Sequence, residues 1–163
     1  MSILVRKIDK GKWLTDDSVN AESIPADAIT GCMKTKNNTL SVWEIDTEDN
    51  LNKAYLAIAS GLQHLESIDV VLMDADVITK EGIDYEKTLG QIPIKALSTL
   101  HLDLINLTYN KLGTIASHIV DKFKENKVKR LRRNELKSIL SNAIHDGLLL
   151  MDTLNPDVKK HFQ

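Results

Sequence analysis

Three consecutive stretches, TLSVWEID (39–46), TEDNLNKAYLAIASGLQHLES (47–67) and IDVVLMDAD (68–76), decide the reading of the fold. Leu40, Val42, Trp43 and Ile45 form a β-branched and aromatic run behind the turn-forming pair Asn37 and Asn38, which predicts a strand. Asp46 or Thr47 can cap a helix whose first turn carries Glu48 and Asp49 at the positive end of its dipole. Leu51, Ala54, Tyr55, Ile58, Leu62 and Leu65 then recur as one helical stripe. The nearly unbroken apolar run from Ile68 to Met73 reads as a strand covered on both faces, as in a parallel sheet. The expectation is a βαβ unit, its two strands side by side.

Outward from that unit, Ile3 to Ile8 reads as a first strand in which Leu4, Arg6 and Ile8 alternate with Ile3, Val5 and Lys7. Residues 15 to 38, with Asp16, Asp17, Asn20, Pro25 and Gly31, form a polar connection holding one helical turn at Ile24 to Ile29. Residues 77 to 91 read as a solvated loop, and Ile92-Pro93-Ile94 as extended chain. From Lys95 the period changes. Leu97, Leu100, Leu104, Leu107, Leu112, Ile115, Ile119 and Phe123 predict one amphipathic helix of about 40 Å, interrupted by Gly113. A second helix beginning near Asn134 would bury Leu136, Leu140, Ala143, Leu148, Met151 and Leu154. The short link between them predicts an antiparallel helical hairpin.

The fold class expected is therefore α+β or α/β: a small sheet with a βαβ unit in residues 1–92, packed with a helical part in 93–163, in a single domain. A chain of 163 residues can bury a core without staples. The lone Cys32 excludes an internal disulfide and fits a reducing, cytoplasmic setting. No apolar run reaches the length of a signal peptide core or a membrane span.

Charge is unevenly spread. Residues 1 to 121 hold 11 Lys and Arg against 18 Asp and Glu, a net of −7, whereas 122 to 137 hold 8 against 2, a net of +6. That late segment, DKFKENKVKRLRRNELK, gathers Lys127, Lys129, Arg130, Arg132 and Arg133 where like charges repel unless an anion neutralises them. The expected partner is an acidic protein surface, the chain's own acidic part or a second subunit; sequence-independent nucleic-acid binding is the alternative. No aromatic residue except Phe123 is interleaved for base stacking.

A second constellation is acidic. Side-by-side parallel strands would bring Glu44 and Asp46 to one edge with Asp74 and Asp76, where ligands of open α/β sheets bind. Carboxylates gathered there could hold Mg²⁺. VVLMDADV (70–77) resembles, over those eight residues, the strand and Asp-x-Asp turn of Toprim domains. The resemblance implies Mg²⁺ bound by Asp74, Asp76 and an upstream acid, for which Glu44 is the candidate, and a phosphoryl-transfer or nuclease activity. The glycine that usually follows the family's glutamate is absent here. The histidines, His64, His101, His118, His145 and His161, form no helical ligand pair, so ordinary structural roles are expected. The leading expectation is a non-enzymatic interaction or assembly protein, self-associating or bound to a partner.

Overall fold

The computed structural model describes residues 2–13 and 20–163; Asp16 and Asp17 of the polar connection lie outside the described residues. The protein is a mixed α+β fold built on a six-stranded antiparallel sheet. The strands are β1 (Ile3–Ile8), β2 (Leu40–Ile45), β3 (Ile68–Asp74), β4 (Tyr85–Lys87), β5 (His101–Leu104) and β6 (Val128–Leu131). Their spatial order is β4-β5-β2-β1-β3-β6.

The helices are α1 (Ala26–Cys32), α2 (Leu51–Ser60), α3 (Ala75–Lys80), α4 (Tyr109–Lys124), α5 (Arg133–His145) and the short α6 (Pro156–Lys159). They cover both faces. One face, with Leu4, Leu40, Val42, Val71, Met73, Leu102 and Leu104, packs against α1, α3 and α4. The other, with Val5, Ile45, Ile68, Val70, Leu72 and Leu131, packs against α2, α5 and α6.

β2, α2 and β3 form as the sequence predicts, yet the two strands are not neighbours. β1 lies between them, antiparallel to both, with Leu4 opposite Glu44 on one side and Met73 on the other. The unit is thus a split βαβ, its parallel strands two inter-strand spacings, about 10 Å, apart. Hydrophobic period reports which face a residue occupies and says nothing of who sits alongside. β1 takes the centre because Leu4 and Val5, on opposite faces, are both fully buried.

The expected 40 Å helix and the helical hairpin are not formed. Lys95–Leu100 is a 3-10 segment, His101–Leu104 is β5, and only Tyr109–Lys124 is helical. Leu100 and Leu104 fit a helical step of three to four, with Leu97 and Leu107, and equally a strand period of two, with Leu102. Pairing with β2 along Leu40 to Trp43 decides the matter. Asn106, in the left-handed region at φ 53°, turns the chain out of β5, and the Thr108 side chain accepts the Lys111 N–H at 3.3 Å to cap α4. Likewise Asn126, at φ 56°, ends α4 ahead of β6. The link is a strand, so α4 and α5 lie on opposite faces of the sheet. The apolar stripe that motivated self-association is therefore covered within one chain.

Smaller differences have local causes. The helical turn placed at 24–29 is α1, with Pro25 just ahead of its first residue. α5 stops at His145 rather than running on to Leu154, because Gly147, at φ 72°, reverses the chain, and Leu148 is left exposed. Asn37 and Asn38, at φ 54° and 59°, make the tight turn between Lys36 and Thr39 that leads into β2.

Two glycines give opposite stability tests. A Cβ at Gly113 would meet nothing within 4 Å, so Gly113→Ala is expected to raise the unfolding free energy by about 0.5 to 1 kcal/mol in urea titration. A Cβ at Gly90 would fall 2.6 Å from Trp43 Cη2 and 3.2 Å from His101 Cβ. Gly90→Ala is therefore expected to lower it by roughly 1 to 3 kcal/mol.

Candidate functional site

The four acidic residues of the predicted edge are dispersed by β1 and engaged separately. Glu44 forms an ion pair with Lys87 of β4 at 3.6 Å. Asp46 accepts hydrogen bonds from Thr47 N–H at 2.9 Å and from Asn50 Nδ2 at 2.6 Å, and the Asn50 contact holds its carboxyl below the usual range. Asp74 binds Lys122 Nζ at 2.5 Å, and Asp76 is exposed in the first turn of α3. No group of three His, Cys, Asp or Glu side chains among the described residues is placed to hold a metal ion.

Lys122 is the pivot of that edge. It is 5 % exposed, and its ammonium lies between Asp74 and Glu125, the latter at 2.6 Å. Burial alone would lower its pKa, but the hydrogen bonds it donates to both carboxylates outweigh that and hold it above its ordinary value. His118, one turn earlier on α4, accepts the Asp74 backbone N–H on Nε2 at 3.3 Å. Burial, then the neighbouring Lys122, depress its pKa, with Asp74, Glu125 and Asp121 opposing.

Half of the basic residues in the late segment are paired with the chain's own acids. Besides Lys122, Lys124 pairs with Asp121, Lys127 with Glu48 and Arg130 with Asp69. Arg133 donates to the His161 ring at 3.2 Å. Lys129 donates to the Asn126 carbonyl at 2.9 Å, and Arg132 precedes α5 with its N–H donated to Glu135 Oε2 at 2.6 Å. Among the described residues, Lys129, Arg132, Arg133 and Lys137 have no carboxylate at ion-pair distance.

A polar knot joins β2, β5 and the residue after β4. Asp103 accepts from Ser41 and Thr88, both at 2.9 Å, so the Thr88 hydroxyl, its one proton spent, accepts from His101 Nδ1 at 2.7 Å. His101 also packs edge-on against Trp43 at 5.1 Å between centroids. Asp103 bonds the hydroxyl rather than the imidazole, which is not the order a nucleophilic relay needs.

Sequence reasoning passed over a cleft of about 910 Å³ at the opposite sheet edge. The β1–β2 ladder closes at Val5 and Trp43, and the strands then fork. Arg6 spans the fork: its Nη1 donates to the Ser41 carbonyl at 2.5 Å, and its Nε and Nη2 to the Cys32 carbonyl at 2.9 and 2.7 Å. Burial lowers its pKa to about 10, and no carboxylate lies at ion-pair distance among the described residues. Asp69 lines the same cleft and is 6 % exposed. Its Oδ2 accepts the Lys10 N–H at 3.1 Å, while Oδ1 has no hydrogen-bond donor and Arg130 stands 3.6 Å away. The available signal was a single charge inside each apolar pattern, Arg6 between Leu4 and Ile8 and Asp69 between Ile68 and Val70.

No family model, curated protein or solved structure matches the chain. Among the described residues, no helix is long and apolar enough to cross a membrane.

The His118 environment sets a pH dependence. Because its folded pKa lies below the value near 6.5 of the unfolded chain, its contribution is complete above about pH 6.5 and is lost as pH falls toward the depressed value. Urea titrations at pH 7.5, 6.5 and 5.5 are expected to show falling stability. His118→Gln, which keeps an acceptor for the Asp74 N–H without titrating, is expected to reduce that fall; His101, also depressed by burial, supplies part of the remainder.

Proposed function

We propose that the protein is a non-enzymatic binding protein whose β6 edge takes up an extended, acidic segment of a partner protein as a seventh strand. The supporting observation is the backbone of β6. It pairs with β3 on one side only and forms one end of the sheet. Leu72 N–H donates to the Lys127 carbonyl at 3.0 Å. Since bonded and non-bonded pairs alternate in an antiparallel ladder, Lys129 and Leu131 also face β3, and Val128 and Arg130 turn their N–H and C=O outward. Those groups offer the main-chain bonds of strand addition.

Side chains supply the selectivity. Lys129, Arg132, Arg133 and Lys137 carry positive charge along and just past this edge, with no carboxylate at ion-pair distance from their side chains among the described residues. Charge on an edge strand opposes indiscriminate pairing, and a cluster of one sign selects a strand of the other. A depression of about 490 Å³ beside β6, lined by Tyr55, Lys129, Glu135 and Ile139 among others, can receive a partner side chain. A phosphate backbone would meet the same charges without needing the outward N–H groups.

The variant Val128→Pro separates the two. Its N–H does not serve the β3 ladder, and proline is tolerated on an edge. Fluorescence anisotropy with an acetylated decapeptide alternating Glu with Val is expected to show binding that weakens with salt. Val128→Pro is expected to weaken it at least tenfold, about 1.4 kcal/mol, with an unchanged thermal melt. Peptide binding that ignores Val128→Pro, or duplex DNA bound more tightly than the peptide, would overturn the proposal.

A further inference from the structure

We infer that the cleft at the β1–β2 fork binds an amino acid in its zwitterionic form, the ligand's carboxylate on Arg6 and its ammonium on Asp69. The argument begins with register. Ile8 is opposite Asp69 and Arg6 opposite Val71, so Arg6 and Asp69 share a face of the sheet as diagonal neighbours, with Cβ atoms about 7 to 8 Å apart. Opposite charges at that spacing would ordinarily bind each other. Here they turn apart: Arg6 reaches for the Cys32 and Ser41 carbonyls, Asp69 for the Lys10 N–H.

Each is left incomplete in a complementary way. Of the five N–H donors of a guanidinium, Arg6 uses three, all on neutral carbonyls. A half-buried cation so placed lacks a counter-charge, and a carboxylate accepting two parallel N–H bonds is the group that geometry suits best. Asp69 Oδ1 is buried with no donor, which is costly unless a donor arrives. Arg130, the nearest cation, is 3.6 Å away and its side chain is 61 % exposed, free to yield to an ammonium. The cleft exceeds one backbone unit and is lined by polar residues, Ser41, Gln63 and His64 among them, as well as by Trp43 and Ile92; leucine, with an uncharged side chain, serves as the probe of the two charged ends.

The assignment does not depend on the β6 edge and is tested separately. Thermal melts and calorimetry of the full chain with leucine are expected to show a stabilisation of a few degrees and a dissociation constant at or below the millimolar range. Two half-molecules serve as controls: 4-methylpentanoate, which lacks the ammonium, and isoamylamine, which lacks the carboxylate. Each is expected to bind at least tenfold more weakly. Asp69→Asn is expected to abolish leucine binding while retaining the fold. Arg6→Lys, which keeps the charge but loses the fork of donors, is expected to weaken it at least tenfold. Because Arg6 also ties the strands together, a wild-type readout stands beside the variants: leucine is expected to shift the Arg6 Nε–Hε resonance and to leave other arginine side chains in place. Equal binding of either half-molecule, leucine binding retained in Asp69→Asn, an unmoved Arg6 resonance, or no leucine binding at 10 mM would each overturn the inference.

Discussion

The hydrogen-bond ladders that β1 makes on both its sides hold the molecule together. Its register with β3 runs its full length, from Ile3 opposite Asp74 to Ile8 opposite Asp69, whereas its register with β2 covers three residues. Leu4 and Val5 lie on opposite faces and enter separate cores, so removing this strand would open both at once. Where the ladder to β2 gives out, the Arg6 guanidinium takes over, a side chain bonding to main-chain carbonyls that no strand supplies with a donor. Its cost is a half-buried cation with neutral partners.

The same strand governs electrostatics at both ends of the sheet. At one end it separates the tips of β2 and β3, and the carboxylates there turn to different cations, Glu44 to Lys87 and Asp74 to Lys122. Lys122 buries its charge between two carboxylates; taking away either one would leave it short of compensation in a poorly solvated place. At the other end, the fork beside β1 leaves a cleft with a half-buried positive group and a buried negative group held apart. The acidic body and the basic segment thus meet through particular pairs, Lys122 with Asp74, Lys127 with Glu48 and Arg130 with Asp69. The positive charge left over gathers near the exposed backbone of β6.

Where local pattern had one interpretation, the sequence was legible. β1, β2, α2 and β3 follow from β-branched runs, a helical stripe and turn residues, and Asn37 and Asn38 mark a turn that needs positive φ. Where a pattern fits two periods it misled. Leu100 and Leu104 join Leu97 and Leu107 in a helical stripe as readily as they join Leu102 in a strand alternation, and the strand wins because Leu40 to Trp43 offers a free edge to pair with. The link in the middle of the basic run, read as the turn of a helical hairpin, contains β6 for the same reason, β3 presenting its other edge from Ile68 to Val71. Of the candidate site residues, the basic ones fall together along one edge because they are contiguous in sequence, and the acidic ones part because they are not.

By itself, then, the sequence determined the alternation of strands and helices in its first half, the two-faced burial of β3, the turn at Asn37 and Asn38, and the segregation of charge. These are properties of residues within a few positions of each other, set by side-chain period and backbone preference. Tertiary structure alone decided that β1 stands between β2 and β3, that α4 and α5 lie on opposite faces, and that Arg6 and Asp69 line one cleft. Those outcomes depend on which strand edge finds which partner, a choice made by hydrogen bonds between residues far apart in the chain.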